Sequence, residues 1–136
     1  MSGAAEWFDQ GVKAAAAAQK SRSAARAQRA LQQAIDAFDQ VLRLDSGHVA
    51  ALTQRGLAQA QLGQHDAALD SFVAASAKQP DDVQPLVGAA RSLLQLGRAD
   101  DALKTFERAL ALRPDELDAQ AGRAEVLMAK GDFGRA

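Results

Sequence analysis

The sequence predicts an all-α fold built as a stack of helix pairs, and three observations carry that prediction. The first is an interval. Gly63, Gly97 and Gly131 lie 34 residues apart, as do Phe38, Phe72 and Phe106, the alanines Ala34, Ala68, Ala102 and Ala136, and the prolines Pro80 and Pro114. A period of this length in helix-forming residues marks a stack of like supersecondary units. One such unit cannot bury its apolar face alone, so neighbours stack into a continuous core. The second observation is alanine, which supplies 33 of 136 residues. It is the best helix former and lets helices approach closely. The third is that β-branched residues never alternate over a run of any length, so no segment reads as a strand.

Taken in order, the first helix is expected over Ala4–Lys20, a turn through Ser21–Ser23, and a second helix to Leu44. A loop bulging over Lys20–Arg29 is the alternative, which the alanines there disfavour. In Val49–Asp82, Ala51, Leu52, Gly56 and Leu62 suit an amphipathic helix that stops at Gly63, where a left-handed residue ends it. Its partner runs from about Asp66, with Ala68, Leu69, Phe72, Val73 and Ala75 at helical offsets. Pro80 closes the unit, because proline lacks an amide and clashes with the preceding turn. Val83–Glu116 repeats the plan with Leu86, Ala90, Leu93, Leu96, Gly97, Ala102, Phe106, Ala109 and Pro114. Leu117–Lys130 is a fourth and complete first helix, and Asp132–Ala136 the opening of its partner. A natural array normally closes with a polar capping helix, so the chain reads as the N-terminal piece of a longer protein. The wet stripe Leu117, Ala121, Ala124 and Leu127 then suggests a homodimer through that last helix.

Composition excludes several functions. With no cysteine, disulfides and thiolate metal sites are ruled out. Residues 1–30 carry five basic and two acidic side chains, and residues 31–136 eleven and fifteen; neither balance argues for nucleic acid. Ala14–Ala18 is too short and weak for a signal-peptide core, and no stretch approaches a membrane span. The expected compartment is the cytoplasm, and eleven arginines against five lysines suggest a bacterial, GC-rich source. His48 and His65, the two histidines, stand alone near turns without HExxH or Cys/His spacing, and read as solvated surface residues. Nucleophile-elbow and phosphate-loop patterns are absent, so no catalytic residue, metal or cofactor is expected. Arg22, Arg26 and Arg29 recur at helical spacing, either as a solvated face or as a stripe for an acidic partner or lipid.

These residues resemble the tetratricopeptide repeat family. Leu52, Gly56, Ala68, Phe72, Ala75 and Pro80 match its pattern, and Leu86, Ala90, Ala102, Phe106, Ala109 and Pro114 match it again. The resemblance implies a right-handed α–α superhelix with units 1–48, 49–82, 83–116 and a truncated 117–136. Arg55 and Arg123 depart from it where leucine is frequent, and should lie along the surface with their charged ends in water. In the first unit, Trp7 and Gly11 have the first-helix spacing and Ala34, Phe38 and Val41 the second, but eleven residues too many lie between. Eleven residues make about three helical turns, which would lengthen both arms of the hairpin without changing register.

The resemblance also implies a protein or peptide partner, held on the inner wall formed by the first helices. The positions it points to include Thr53, Leu57 and Gln61, then Gln84, Val87, Arg91, Leu94 and Gln95, then Glu125 and Met128. Leu57, Val87, Leu94 and Met128 would form an apolar strip with Arg91 as one fixed cation, a groove for a helix or extended peptide. Some chaperone adaptors of the family grip a C-terminal carboxylate with lysine and asparagine. The matching positions here are Thr53, Leu57, Gly88 and Arg91, so that clamp is missing. The leading reading is a non-enzymatic interaction scaffold. Two others stand beside it: a positioning arm of an enzyme whose catalytic domain follows Ala136, and a self-assembly element.

Overall fold

Alanine-rich, proline-punctuated segments become helices that end where their stop residues stand. The computed structural model describes residues 3–131. Among them run α1 (Ala4–Lys20), α2 (Ala24–Leu44), α3 (Val49–Gln61), α4 (His65–Lys78), α5 (Val83–Gln95), α6 (Ala99–Leu112) and α7 (Leu117–Lys130). The expected partner-helix opening at Asp132–Ala136 lies outside the described residues. Gly63 and Gly97 adopt φ of 81° and 79°. This left-handed turn lets the next amide reach back, Gln64 N–H to Gln59 O and Arg98 N–H to Leu93 O, both at 2.9 Å, which satisfies carbonyls the helix end would orphan. Helix starts are capped by Ser23 on Arg26 N–H and by Asp82 on Gln84 N–H.

Each helix packs on the next in sequence, and α1, α3, α5 and α7 also touch in a row, whereas α2, α4 and α6 do not meet one another. Contact on one side alone curves the stack, with the odd-numbered helices inside. The three periodic phenylalanines fill the core, each at most 1% exposed, beside fully buried Ala68, Ala75, Ala102 and Ala109. Phe72 lies between Gly56 of its own hairpin and Gly88 of the next, where a Cβ on Gly88 would stand 2.5 Å from the ring. Gly122 leaves the same room for Phe106, one period on.

The extra residues of the first hairpin are helical. Gly11 faces the Phe38 ring as Gly56 faces Phe72. From that common level α1 runs nine residues onward where α3 runs five, and α2 begins fourteen residues before Phe38 where α4 begins seven before Phe72. The hairpin tip therefore projects by one turn on α1 and two on α2, about 6 and 10 Å. Gln19 Nε2 donates to Gln61 Oε1 at 2.6 Å, close to where α3 ends.

Arg55 corrects an expectation. Its side chain is only 24% exposed rather than stretched into water. Its Nε donates to Ser71 Oγ (3.0 Å) and its Nη1 to Asp39 Oδ1 (2.9 Å), and Ser71 Oγ donates to Gln59 Oε1 (2.7 Å). Acceptors from α2 and α4 replace the water that the cation gives up. One period later the places of Asp39 and Arg55 are held by Val73 and Ala89; two periods later by Glu107 and Arg123. That second pair is again ionic, at 3.7 Å, with both side chains about half exposed.

Candidate peptide-binding groove

The inner row of helices encloses two connected clefts between α3 and α5. One, about 280 Å³, has Leu57 and Ala60 on one wall, Gly88 and Arg91 on the other, and His65 and Phe72 of α4 as floor. The absence of a side chain at Gly88 brings the Phe72 ring to the bottom of the cleft. The second, about 460 Å³, shares Leu57, Gly88 and Arg91 and continues past Gln84 to Arg113 and Glu116. The first is mainly apolar and the second mixed, with Arg91 at their junction.

Arg91 is held from three sides. Its Nη2 donates to Asp118 O (3.2 Å), its Nη1 pairs with Glu125 Oε1 (3.6 Å), and its guanidinium carbon lies 6.0 Å from the Phe106 ring centroid, within cation–π range. The pair with Glu125 is about half exposed, and such pairs are worth little. An incoming carboxylate can therefore take the place of Glu125 at small cost.

The expected contact residues do not all reach this groove. Leu57, Gln61, Gln84, Arg91 and Gln95 border it. Thr53 is 5% exposed and turned inward. Val87, expected on the apolar strip, lines the second cleft but is itself buried in the core of α5, α6 and α7, because packing against that stack returns about 25 cal/mol per Å² of apolar area. Leu94 is half-buried against the same core. Met128 is exposed but borders neither cleft. The strip of four apolar side chains is thus reduced to Leu57 at the groove and Met128 beyond it.

The histidines correct a second expectation. His48 is a cap, with Nδ1 accepting from Ala51 N–H at 3.1 Å and its ring 5.2 Å from that of Phe8. His65 opens α4 half-buried in the cleft floor, and its buried Nδ1 has no partner among the described residues. Phe72, Gly88 and His65 line the groove, although sequence reasoning reads the first as core, the second only as an empty clamp position and the third as a solvated turn residue. The Gly88–Gly122 interval of one period was the available signal for the first two. Among the described residues no group of histidine and carboxylate side chains could hold a metal ion. No described helix is long and apolar enough to cross a membrane.

Stacked helix pairs with an inner groove define a helical-repeat superhelix, the class of protein-interaction scaffolds. Residues 12–83, 59–116 and 93–136 match family patterns described as Tetratricopeptide repeat. The chain belongs to the tetratricopeptide repeat family, typically a non-catalytic interaction module. No curated protein sequence matches it. Among solved structures it resembles MamA from Desulfovibrio magneticus RS-1 (TM-score 0.83, 19% identity, 95% of this chain and 67% of that one). It also resembles a thermophilic tetratricopeptide protein from Thermus thermophilus (0.78, 26%, 92% and 64%). A third likeness is the first tetratricopeptide domain of Spaghetti (RPAP3), bound to the HSP90 peptide SRMEEVD (0.74, 18%, 91% and 95%).

Proposed function

We propose that this chain is a scaffold that binds an extended peptide or helix in the groove between α3 and α5. Its units would be 1–48, 49–82, 83–116 and 117–136, with the second and third forming the binding walls. The observation that carries this reading is the apolar cleft over Phe72, bordered by Leu57 and Gly88 and opening beside Arg91. An apolar side chain of the peptide fills the cleft, and a carboxylate on the same peptide displaces Glu125 from Arg91. Gln61, Gln84 and Gln95 offer amides to its backbone. Glu125 is the carboxylate given up at Arg91, Met128 lies beyond the clefts, and Thr53, Val87 and Leu94 are wholly or partly buried. The Spaghetti domain, which has a similar fold, was solved with an acidic-tailed peptide, which supports this mode. Lysine and asparagine are absent at the clamp positions, so the preferred sequence would differ from that peptide. The end-to-end dimer through Leu117–Lys130 has no support from the fold or its relatives.

The test is selection from a displayed peptide library, followed by titration of the selected peptide against Leu57→Asp and Arg91→Glu. Each variant is expected to weaken binding about tenfold, as loss of a central contact does, with the helical circular dichroism unchanged. Selected peptides that bind both variants as tightly as the parent chain would remove the groove from the account.

A further inference from the structure

Cations are distributed very unevenly along this chain. Between residues 10 and 35 there are five, Lys13, Lys20, Arg22, Arg26 and Arg29, and no carboxylate. All five are exposed, and none is in an ion pair among the described residues. Between residues 31 and 131, fourteen acidic side chains outnumber ten basic ones, and six of those ten basic residues are paired. The extra helical turns carry Lys20, Arg22, Arg26 and Arg29 past the level at which the other hairpins turn. Projection and charge therefore coincide.

This arrangement costs stability. Arg26 stands in the first turn of α2, which holds no acidic residue, although cations there oppose the helix dipole. Arg26 and Arg29, three residues apart on α2, also repel one another. A sequence that breaks its own local rules in one place marks a functional position more often than a structural one.

We propose that the projecting tip of the α1–α2 hairpin is a second interaction surface, and that its partner is a short acidic segment of another protein. Arginine forks pair with carboxylates bidentately. Residues 13–30 contain only alanine, glutamine, serine, lysine and arginine. The tip thus has no large apolar side chain to enter a lipid interface and no aromatic ring to stack on a base. The acidic excess in the rest of the chain repels a long phosphate polymer that outgrows the tip. A short run of aspartate or glutamate meets the cations alone. The surface is separate from the groove and does not depend on the reading given for it.

The experiment is fluorescence anisotropy with a labelled oligoglutamate peptide and the whole chain, repeated at rising salt. Binding that weakens steadily with salt, and falls about tenfold in an R22Q/R26Q/R29Q variant, is expected. K104Q/R108Q, which removes two exposed cations on α6, should bind as the parent does, whereas a loss in R91E as large as that in the triple variant would place the peptide in the groove and overturn the proposal. Glutamine keeps high helix propensity, and circular dichroism checks that the tip remains folded. Failure of the peptide to bind, or equal binding by the triple variant, overturns the proposal. So does displacement of the peptide by phosphatidylserine vesicles or duplex DNA that bind more tightly than it does.

Discussion

The first hairpin and the two units that follow are held together differently. In α3–α6 the arms are short, and Phe72 touches glycines of two successive hairpins, so a unit is completed only when its neighbour docks. In α1–α2 the arms are longer by three turns in total, and Phe38 meets Gly11 of its own hairpin and the Phe8 ring at 5.7 Å. One period before Gly88 stands Gln54, so the following hairpin keeps a side chain where the later ones leave room. The N-terminal hairpin therefore draws more of its stability from itself, and the inner units from stacking. That difference explains how the hairpin tip can project beyond its neighbour, joined to it through Gln19 and Gln61, while the rest of the array keeps to one height.

The comparison breaks or holds first on the phenylalanines. Phe72→Ala is expected to cost about 3–5 kcal/mol, since it empties two interfaces at once. Phe38→Ala should lie at the lower end of that range, because the tilted Phe8 ring can move into the space. Urea denaturation of both variants decides it, and a larger loss for Phe38→Ala would reverse the assignment.

A smaller effect sharpens the same point. Gly88→Ala gains about 1 kcal/mol of helix propensity but presses a methyl into the Phe72 ring, and overpacking costs about 1–3 kcal/mol. A net destabilisation is expected, read as a lower melting temperature. Gln54→Ala, at the matching place against the first hairpin, should be close to neutral. Stabilisation by Gly88→Ala would show that the ring has room to spare.

The smallest effect is electrostatic. A hydrogen bond from Lys130, with its charge, holds the Asp100 carboxyl below the usual carboxylate range. A lowered folded-state pKa means the contribution is present at neutral pH and disappears as pH falls through that pKa. Because Asp100 is fully exposed, Asp100→Asn should move the neutral-pH melting temperature by less than about a degree, with any difference vanishing in acid. A drop of several degrees would mean that the α6–α7 contact hangs on this pair, unlike the apolar contacts before it.

Much of the fold was legible because one interval orders it: glycine stops, buried phenylalanines and small residues recur at fixed offsets, and alanine makes the added residues helical. Less of the groove was legible. Thr53 and Val87 occupy positions that the family resemblance implies are exposed, but both are buried here, Val87 in the core of α5, α6 and α7. Arg55 looked unpaired because its acceptors, Asp39 and Ser71, each lie sixteen residues away on other helices. The cap formed by His48, and the contact of its ring with Phe8, are not revealed by spacing.

The alternation of Asp39–Arg55, Val73–Ala89 and Glu107–Arg123 has a consequence for assembly. Units with the same outline can dock out of sequence, as a copy one place along offers nearly the same shape. Here a slip of one place sets Asp39 against Ala89 and Val73 against Arg123, leaving two charges without counterions in the seam. Breaking a fully buried pair in this way costs about 3–5 kcal/mol. Water still reaches Asp39, so the penalty here is a fraction of that, yet it exceeds what the intact pair contributes. Shape lets any hairpin follow any other, and the spacing of charge favours one order.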